Sequence, residues 1–359
     1  MTAPATDSQI QIFGGVDTHS DTHTAAAITA AGTLLGSEQF PATAAGYTAL
    51  LAWLTSLGTL VRVGIEGASS YGAGLATVLR AAGVCVIEVD RPDRSTRRRS
   101  GKSDPIDAEA AARAVLAGRA TGAAKTHDGT VECIRVLRIA RSSARDQRAD
   151  CMRRIKSLLV TTPEALRAQL RGLTDTKLVA TCAALRPHRS DATNPTTATK
   201  LALRALARRH AELTKELADL DELIQPLVAQ ANPALIDVHG VGPEVAAQLL
   251  ITAGDNPHRL HSEAAFAMLC GVAPLPASSG KTNRHRLNRG GDRQANNALW
   301  RIALCRMKTH VPTRDYVARR TTEGLSKPEI IRCLKRYIAR DLYRILVPEP
   351  VTNDLALAS

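Results

Sequence analysis

Every segment with clear strand character in this sequence lies before residue 90. Short apolar or alternating runs typical of strands occupy residues 10–16, 24–28, 33–40, 60–65 and 84–89. Helical spacing separates or follows them at residues 42–57, 69–82 and 104–117. Adjacent strands followed by strand–helix alternation predict a mixed sheet covered by helices, which is an α/β fold.

The strand signal disappears between residues 130 and 230, where the spacing becomes helical. Seven positions there form a heptad pattern: Leu206, His210, Leu213, Leu217, Leu220, Ile224 and Leu227. About three such repeats predict a short coiled coil, and a single long helix packed on its own domain is the alternative. The Thr-, Asn-, Asp- and Pro-rich stretch 187–199 is predicted to be a loop.

These changes of pattern predict three domains and a tail. The α/β domain is expected at residues 1–125 and a helical or coiled-coil region at 126–230. A compact helical domain is expected at 231–346, because helical spacing resumes after Pro233. Residues 347–359 are predicted to be a loose tail.

The charge of the chain points to an anionic partner. Lysine and arginine number 47 against 34 aspartates and glutamates, which gives a formal net charge of +13. Nucleic acid is the first candidate and an anionic membrane surface the second, although such a charge can also serve solubility alone. Aromatic residues make up only 3% of the chain, which counts against binding single strands by base stacking.

Cysteine usage and the N-terminus point to a reducing compartment. The seven cysteines are scattered and include no C-x-x-C pair, which argues against a zinc knuckle or a disulfide framework. Residues 1–10 show no secretory signal, and no stretch approaches the ~20 apolar residues of a membrane span. We therefore expect a cytoplasmic protein.

Four carboxylates stand where a metal site would need them. Asp17 and Glu66 each end a predicted strand, and Asp104 and Asp107 lie three apart on a predicted helix. Carboxylates that converge in this way suit two Mg²⁺ or Mn²⁺ ions and phosphoryl transfer. The alternative for the second pair is helix capping, with Asp104 as the N-cap, Pro105 in the first turn and Asp107 at the third helical position.

A second metal-binding pattern overlaps the first acid. His19, Asp21 and His23 alternate along GVDTHSDTH and could supply ligands to a zinc hydrolase. An exposed turn after the first strand is the alternative interpretation of the same segment.

Basic residues cluster in two places, and for the first of them a solvated charged loop is the alternative interpretation. One cluster precedes the acidic helix: Arg94, Arg97, Arg98, Arg99 and Lys102. The other follows a serine-rich loop: Lys281, Arg284, Arg286, Arg289 and Arg293. Both clusters are predicted to contact nucleic-acid phosphates, which gives affinity without sequence choice.

Two further segments of the C-terminal part are candidate DNA-binding or reactive sites. PALIDVHGVGPEVAAQLL predicts a helix, a tight turn at Gly240 and Gly242, and a second helix, as in a helix-hairpin-helix; a packing corner is the alternative. Ser278 and Ser279 lie in a small-residue loop beside cations. An activated serine there could attack phosphorus, and passive phosphate binding is the alternative.

Taken together, these motifs resemble the transposases of the insertion sequence 110 family, also called bridge recombinases. The resemblance rests on GVDTHSDTH, GIEGASSYG, GKSDPIDAEAAARA, PALIDVHGVGPEVAAQLL, FAMLCGVAPLPASSGK and NRGGDRQANNAL, in this order. It implies a RuvC-like, ribonuclease H-type N-terminal domain whose four acids bind divalent metal. Carried onto this chain, those acids are Asp17, Glu66, Asp104 and Asp107.

The same resemblance implies the remaining machinery. A coiled-coil region would join the first domain to a C-terminal transposase domain with a catalytic serine at Ser279, or at Ser278. The expected partners are the double-stranded DNA of the element ends and target, a noncoding bridge RNA that selects them by base pairing, and further copies of the chain in a dimer or tetramer. Association with the bacterial nucleoid would follow.

Besides the zinc hydrolase of His19, Asp21 and His23, two other functions remain open from the sequence. A metal-dependent nuclease of the junction-resolvase type would use the acids with water and would not need the serine. A non-catalytic DNA-binding protein would keep only the basic surface.

Overall fold

The computed structural model describes residues 10–89, 103–280 and 285–348. The chain forms two compact units, each assembled from separate stretches of sequence. The first combines the described residues up to 129 with 253–292 and those from 339 onward; the second combines 130–252 with 293–338. No helix in the described part of the chain is long and apolar enough to cross a membrane.

The first unit contains a five-stranded mixed sheet. Its strands are β1 (Gln11–Thr18), β2 (Thr22–Thr29), β3 (Leu34–Pro41), β4 (Thr59–Glu66) and β5 (Cys85–Val89). The strand order is β3-β2-β1-β4-β5. The first three strands pair antiparallel, and β4 and β5 extend the sheet in parallel with β1. The predicted α/β fold is confirmed.

Helices cover both faces of this sheet. They are α1 (Ala44–Ser56), α2 (Ala73–Ala81) and α3 (Asp104–Leu116). One face forms a core with the first two helices, including Val16, Leu50, Leu54, Ile65 and Leu75. The opposite face forms a second core with α3, made of Phe13, Ile87, Val89, Ala111 and Val115. Alternate residues of each strand therefore face different helices.

Glycines in the sheet bring α3 unusually close to it. A Cβ atom at Gly15 would lie 2.1 Å from the carbonyl oxygen of Ala108 and 2.2 Å from the amide nitrogen of Ala112. At Gly64 it would lie 2.6 Å from a methyl group of Val115. Since no side chain could occupy these spaces, glycine at both positions lets the helix backbone rest on β1 and β4.

The segment from residue 253 to 292 packs onto the sheet unit through polar contacts. The Asn256 side chain donates to the carbonyl oxygen of Ala124 at 2.9 Å and accepts from the amide of Thr126 at 3.3 Å. The Tyr343 hydroxyl donates to the carbonyl oxygen of Leu260 at 2.8 Å. Stretches far apart in sequence are thereby joined within one unit.

Two long antiparallel helices dominate the second unit, α4 (Thr130–Thr161) and α7 (Pro195–Ala231). Between them along the chain lie α5 (Glu164–Leu170) and α6 (Asp175–Ala184). Buried contacts between the long helices include Ala144 and Cys151 with Leu213 and Leu217. Part of the heptad pattern is thus covered by α4 of the same chain, and a coiled coil with another chain stays a prediction.

The predicted loop at 187–199 is wrong over its last residues, because α7 already begins at Pro195. The Asn194 side chain caps this helix by accepting from the amides of Thr196 and Thr197. Proline in the first turn adds to the same start signal. The Asn-Pro pair therefore initiates a helix and does not mark a turn.

The remaining part of the chain is largely helical, as predicted. Its helices are α8 (Pro233–Ile236), α9 (Pro243–Ala253), α10 (Glu263–Leu269), α11 (Arg293–Thr309), α12 (Val311–Thr322) and α13 (Lys327–Leu346). A short antiparallel pair, β6 (Leu275–Pro276) and β7 (His285–Arg286), was not expected. Of the predicted tail, residues 349–359 lie outside the described part.

Candidate active site

Asp17 and Glu66 lie side by side at the carboxyl ends of neighbouring parallel strands. The register aligns Val16 of β1 with Ile65 of β4, so the acids that follow them are neighbours across the ladder. The Thr18 hydroxyl donates to the carbonyl oxygen of Glu66 at 2.7 Å and ties the two strand ends together. Asp17 follows Gly15 by two residues and Glu66 follows Gly64 by two, so both acids share the face of the sheet that α3 covers.

The other two predicted acids lie in the first turn of α3. Ser103 is the N-cap, so the prediction that Asp104 caps the helix is wrong by one residue. Asp107 is 8% exposed, and the side chain of Asp104 is 38% exposed. Because α3 rests directly on β1, its first turn lies at the end of the sheet where Asp17 lies.

His19 connects the strand acid to the helix acid. Its Nε2 lies 3.3 Å from Oδ2 of Asp17 and 3.5 Å from Oδ1 of Asp104. Potential ligand atoms of these three residues all lie within 4.8 Å of one another. The sequence pattern grouped His19 with Asp21 and His23 instead. Its position two residues after Asp17, an acid at a strand end, is the feature that could have indicated its contact with that acid.

The His19, Asp21 and His23 zinc triple does not assemble. His23 is fully buried in β2, with its ring stacked on Tyr47 at a centroid distance of 5.4 Å. Burial lowers the pKa of His23 and favours the neutral ring. Asp21 lies at the exposed tip of the β1–β2 turn. Since His19 is half exposed and His23 is buried, the two histidines face different surroundings.

Asp17 lies in surroundings that disfavour its negative charge. Its side chain is only 10% exposed, and this burial raises the pKa of Asp17. His19 opposes the rise, whereas Asp107 and Asp104 add to it through charge repulsion. A divalent cation among these groups would offset both the burial and the repulsion.

The donor set fits a divalent metal ion. Carboxylate oxygens are the ligands that Mg²⁺ and Mn²⁺ prefer, and the imidazole nitrogen is accepted by Mn²⁺ and by zinc. Asp17, His19 and Asp104 are already close enough to share one ion. Glu66 lies on the same face of the sheet as Asp17, and Asp107 lies in the same helix turn as Asp104.

Ser279, the predicted nucleophile, is exposed in the connection between β6 and β7. Gly280 follows it with φ of +55°, a conformation that favours glycine. Beyond the connection, Asn288 donates to the carbonyl oxygen of Met268 at 3.0 Å and fixes the returning chain. This hairpin belongs to the same compact unit as the sheet, and the neighbouring Ser278 is exposed as well.

The predicted phosphate contacts are only partly described. Arg286, Arg289 and Arg293 are exposed on β7, after it and at the start of α11. The remaining predicted basic residues lie outside the described part of the chain: Arg94, Arg97, Arg98, Arg99, Lys102, Lys281 and Arg284.

The predicted turn at Gly240 and Gly242 lies between α8 and α9. Gly240 has φ of +88°, and a Cβ there would lie 3.3 Å from Ile302 of α11. Arg306 donates to the carbonyl oxygen of His239 at 3.0 Å. One side of the turn therefore packs on α11, while Gly242 faces open space; DNA binding by this turn stays a prediction.

Two family models match the chain. The transposase model of the DEDD type in the IS110 group matches residues 14–163. The model for transposases of the IS116/IS110/IS902 family matches residues 232–318. Together the two matches cover more than half of the sequence. The chain belongs to the IS110 family of transposases.

Two proteins of insertion elements are similar to this IS110-family chain. The "Insertion element IS110 uncharacterized 43.6 kDa protein" of Streptomyces coelicolor is 30% identical over 144 residues, 37% of this chain and 35% of that protein. The "Insertion element IS900 uncharacterized 42 kDa protein" of Mycobacterium paratuberculosis is 27% identical over 158 residues, 42% of this chain and 40% of that protein. The chain thus spans less than half the length of each relative.

Proposed function

We propose that this IS110-family protein cleaves and rejoins DNA strands to move an insertion element. The observation that supports this most is the convergence of Asp17, Glu66, Asp104 and Asp107 at one end of the sheet. Their order along the chain spells the D-E-D-D of the matching family. The mixed sheet, with acids at the ends of parallel neighbours, also supports a ribonuclease H-type, RuvC-like fold for this domain.

A divalent ion held by these residues would stabilise the charge that develops on the scissile phosphate and polarise the attacking oxygen. Asp17 and Asp104 would hold the ion from the strand and from the helix. Glu66 and Asp107 would complete the acidic face and position further ligands. Mg²⁺ or Mn²⁺ is the expected cofactor, with two ions per site.

We assign the nucleophile to Ser279. Its Oγ would attack phosphorus, lose its proton to solvent and break the phosphodiester bond to the leaving strand end. The leaving oxygen would take up a proton from solvent, so the products would be a phosphoserine-linked end and a free hydroxyl. Attack by the hydroxyl of another strand would reverse the linkage, rejoin the DNA and release the serine.

Asp104→Asn tests the metal-dependent step in the full-length protein with an element-bearing plasmid and Mg²⁺ or Mn²⁺. We expect strand cleavage to fall at least about a hundredfold, since a charged ligand is lost from the transition state. Cleavage at the wild-type rate would contradict the role given to Asp104. DNA binding without cleavage, in wild type and variant alike, would favour the non-catalytic DNA-binding protein.

Ser279→Ala and its matched neighbour Ser278→Ala separate the serine mechanism from a nuclease that uses water. Covalent protein–DNA adducts, resolved on a denaturing gel, should disappear only in the first variant. Nicking that persists without adducts in both variants and in wild type would favour the resolvase-type nuclease.

The expected partners are duplex DNA, a noncoding bridge RNA and further copies of the chain. Exposed Arg286 and Arg289, in the same unit as Ser279, support contact with phosphates, and so does exposed Arg293 at the start of α11. Sequencing of RNA that copurifies with the full-length protein would test RNA guidance, because a single enriched species from DNA flanking the gene is the expected result. Enrichment of unrelated cellular RNA in its place would argue against guidance.

A further inference from the structure

The imidazole of His19 faces the two acids of the candidate metal site through a single nitrogen. Nε2 lies 3.3 Å from a carboxylate oxygen of Asp17 and 3.5 Å from one of Asp104. An imidazole nitrogen between two carboxylates can share a proton with them, and it can equally share a metal ion.

The backbone fixes His19 in this position. β1 ends at Thr18, and the amide of His19 donates to the carbonyl oxygen of Thr22 at 3.0 Å, closing the turn into β2. Thr18 is itself bonded to the carbonyl oxygen of Glu66. His19 is therefore held by two strand ends, although half of its side chain is exposed.

We propose that His19 is a direct nitrogen ligand of the divalent ion, together with Asp17 and Asp104. Two observations carry this beyond an acidic cluster. The ligand atoms of the three residues already lie within 4.8 Å of one another. The side chain of Asp17 is nine-tenths buried and still directs an oxygen to the imidazole.

This assignment rests on the proposed metal-dependent function and predicts which metal the site prefers. Mg²⁺ favours octahedral oxygen ligands and keeps several waters, whereas imidazole suits transition metals better. The centre should therefore bind Mn²⁺ more tightly than Mg²⁺. Replacing the imidazole by a carboxylate should reverse part of that preference.

Pulsed electron paramagnetic resonance of Mn²⁺ bound to the full-length protein tests the coordination directly, without an activity assay. We expect electron-spin-echo modulation from a directly bound ¹⁴N nucleus, changed by growth on ¹⁵N-labelled histidine. The variants His19→Gln and His19→Asp should lose that modulation. His188→Gln, which alters an exposed histidine of the other unit, should retain it.

Titration with Mn²⁺ gives the second readout. His19→Gln should raise the Mn²⁺ dissociation constant at least about tenfold. His19→Asp should keep binding Mg²⁺ as an all-oxygen site.

The outcomes separate this inference from the proposed function. If Mn²⁺ binds but wild type shows no histidine nitrogen, or if His19→Gln keeps the modulation, His19 is not the ligand and metal-dependent cleavage still stands. If neither Mn²⁺ nor Mg²⁺ binds to wild type and cleavage proceeds in chelator, both ideas fail.

Discussion

Asp17 is buried under α3, and burial disfavours the negative charge of its carboxylate. Its raised pKa has burial as the main cause, with repulsion from Asp107 and Asp104 added. A raised pKa means that the folded state binds the proton more tightly than the unfolded state. The stabilisation is therefore complete below the usual pKa of 3.8 and is lost as pH rises through the folded value.

Asp17→Asn should stabilise the metal-free protein while abolishing metal binding. The gain should be absent near pH 3 and should grow as pH rises above the usual pKa of Asp17, since asparagine carries no charge that burial could disfavour. Denaturant unfolding in chelator across this pH range measures the gain. A variant that is less stable than wild type at pH 7 would contradict the assigned cause of the raised pKa.

Gly15→Ala should destabilise the protein although alanine is the smallest possible addition. The new Cβ would lie 2.1 Å from a backbone oxygen of α3, so helix and sheet must separate. We expect a loss of about 3 kcal/mol in unfolding free energy and weaker Mn²⁺ binding, because Asp104 and Asp107 move with the helix. Gly122→Ala is the matched control, since a Cβ there meets open space.

Single side chains were predictable from the sequence where periodicity fixes them. A charged residue that ends an apolar strand identified Asp17 and Glu66, and both occupy the expected strand ends. The helix was predicted to start at residue 104, as it does, but its N-cap was misplaced by one residue, because capping chemistry fits Ser103 as well as Asp104. The contacts of His19 were not predictable, since they join a turn to a helix 85 positions later in the chain.

A network of two arginines and three acceptors joins α4, α7 and α9. Arg141 pairs with Asp221 of α7 and with Glu244 of α9 at 2.5 and 3.1 Å. Arg138 donates to Glu244 at 2.8 Å and to Gln248 at 2.6 Å. The side chains of both arginines are less than one-fifth exposed, so Glu244, which pairs with both, neutralises charge that is largely withdrawn from water.

Glu244→Gln should therefore cost about 2 kcal/mol of unfolding free energy, because a carboxylate shared by two buried arginines is lost. Asp150→Ala, which breaks exposed pairs with Arg153 and Arg154 on α4, should leave stability unchanged. Urea unfolding of the two variants makes the comparison. Equal effects would show that burial does not set the strength of this network.

Helices and strands followed from the sequence wherever an element was long and periodic. All five strands of the large sheet and the helices of the first domain were predicted to within a few residues. The two-residue strands β6 and β7 were missed, because so short a pair has no period of its own. The heptad pattern of α7 predicted an apolar stripe that needs a partner helix, but it did not identify the partner. Packing on α4 and packing on another chain require the same apolar spacing.

The chain returns to its first unit twice, and Asn256 is one of the side chains that hold it there. Its contacts with Ala124 and Thr126 cross 132 and 130 positions of sequence. Sequence patterns describe continuous stretches, so they could not predict that residues 253–292 join the sheet unit. The three domains predicted from the sequence, which end at residues 125, 230 and 346, are continuous segments, whereas each compact unit combines separate segments. Those domain boundaries stay predictions.

Asn256→Ala should lower the unfolding free energy by about 1–2 kcal/mol, because a buried acceptor and a donor both lose their partner. Asn256→Asp keeps the acceptor for Thr126 but faces the oxygen of Ala124 with a carboxylate, so it should be no more stable than alanine. Thermal unfolding followed by near-ultraviolet circular dichroism measures both. Wild-type stability in both variants would mean that other contacts hold the segment.

The close contact of Gly15 with α3 also changes how degenerate copies of such a gene should be recognised. A gene can keep codons for all four acids and for the serine and still encode a destabilised protein that binds metal weakly, if position 15 has acquired a side chain. Mutational decay would then be silent at every reactive position and visible only at a residue without functional groups. An inventory of intact elements should inspect that glycine alongside the acids.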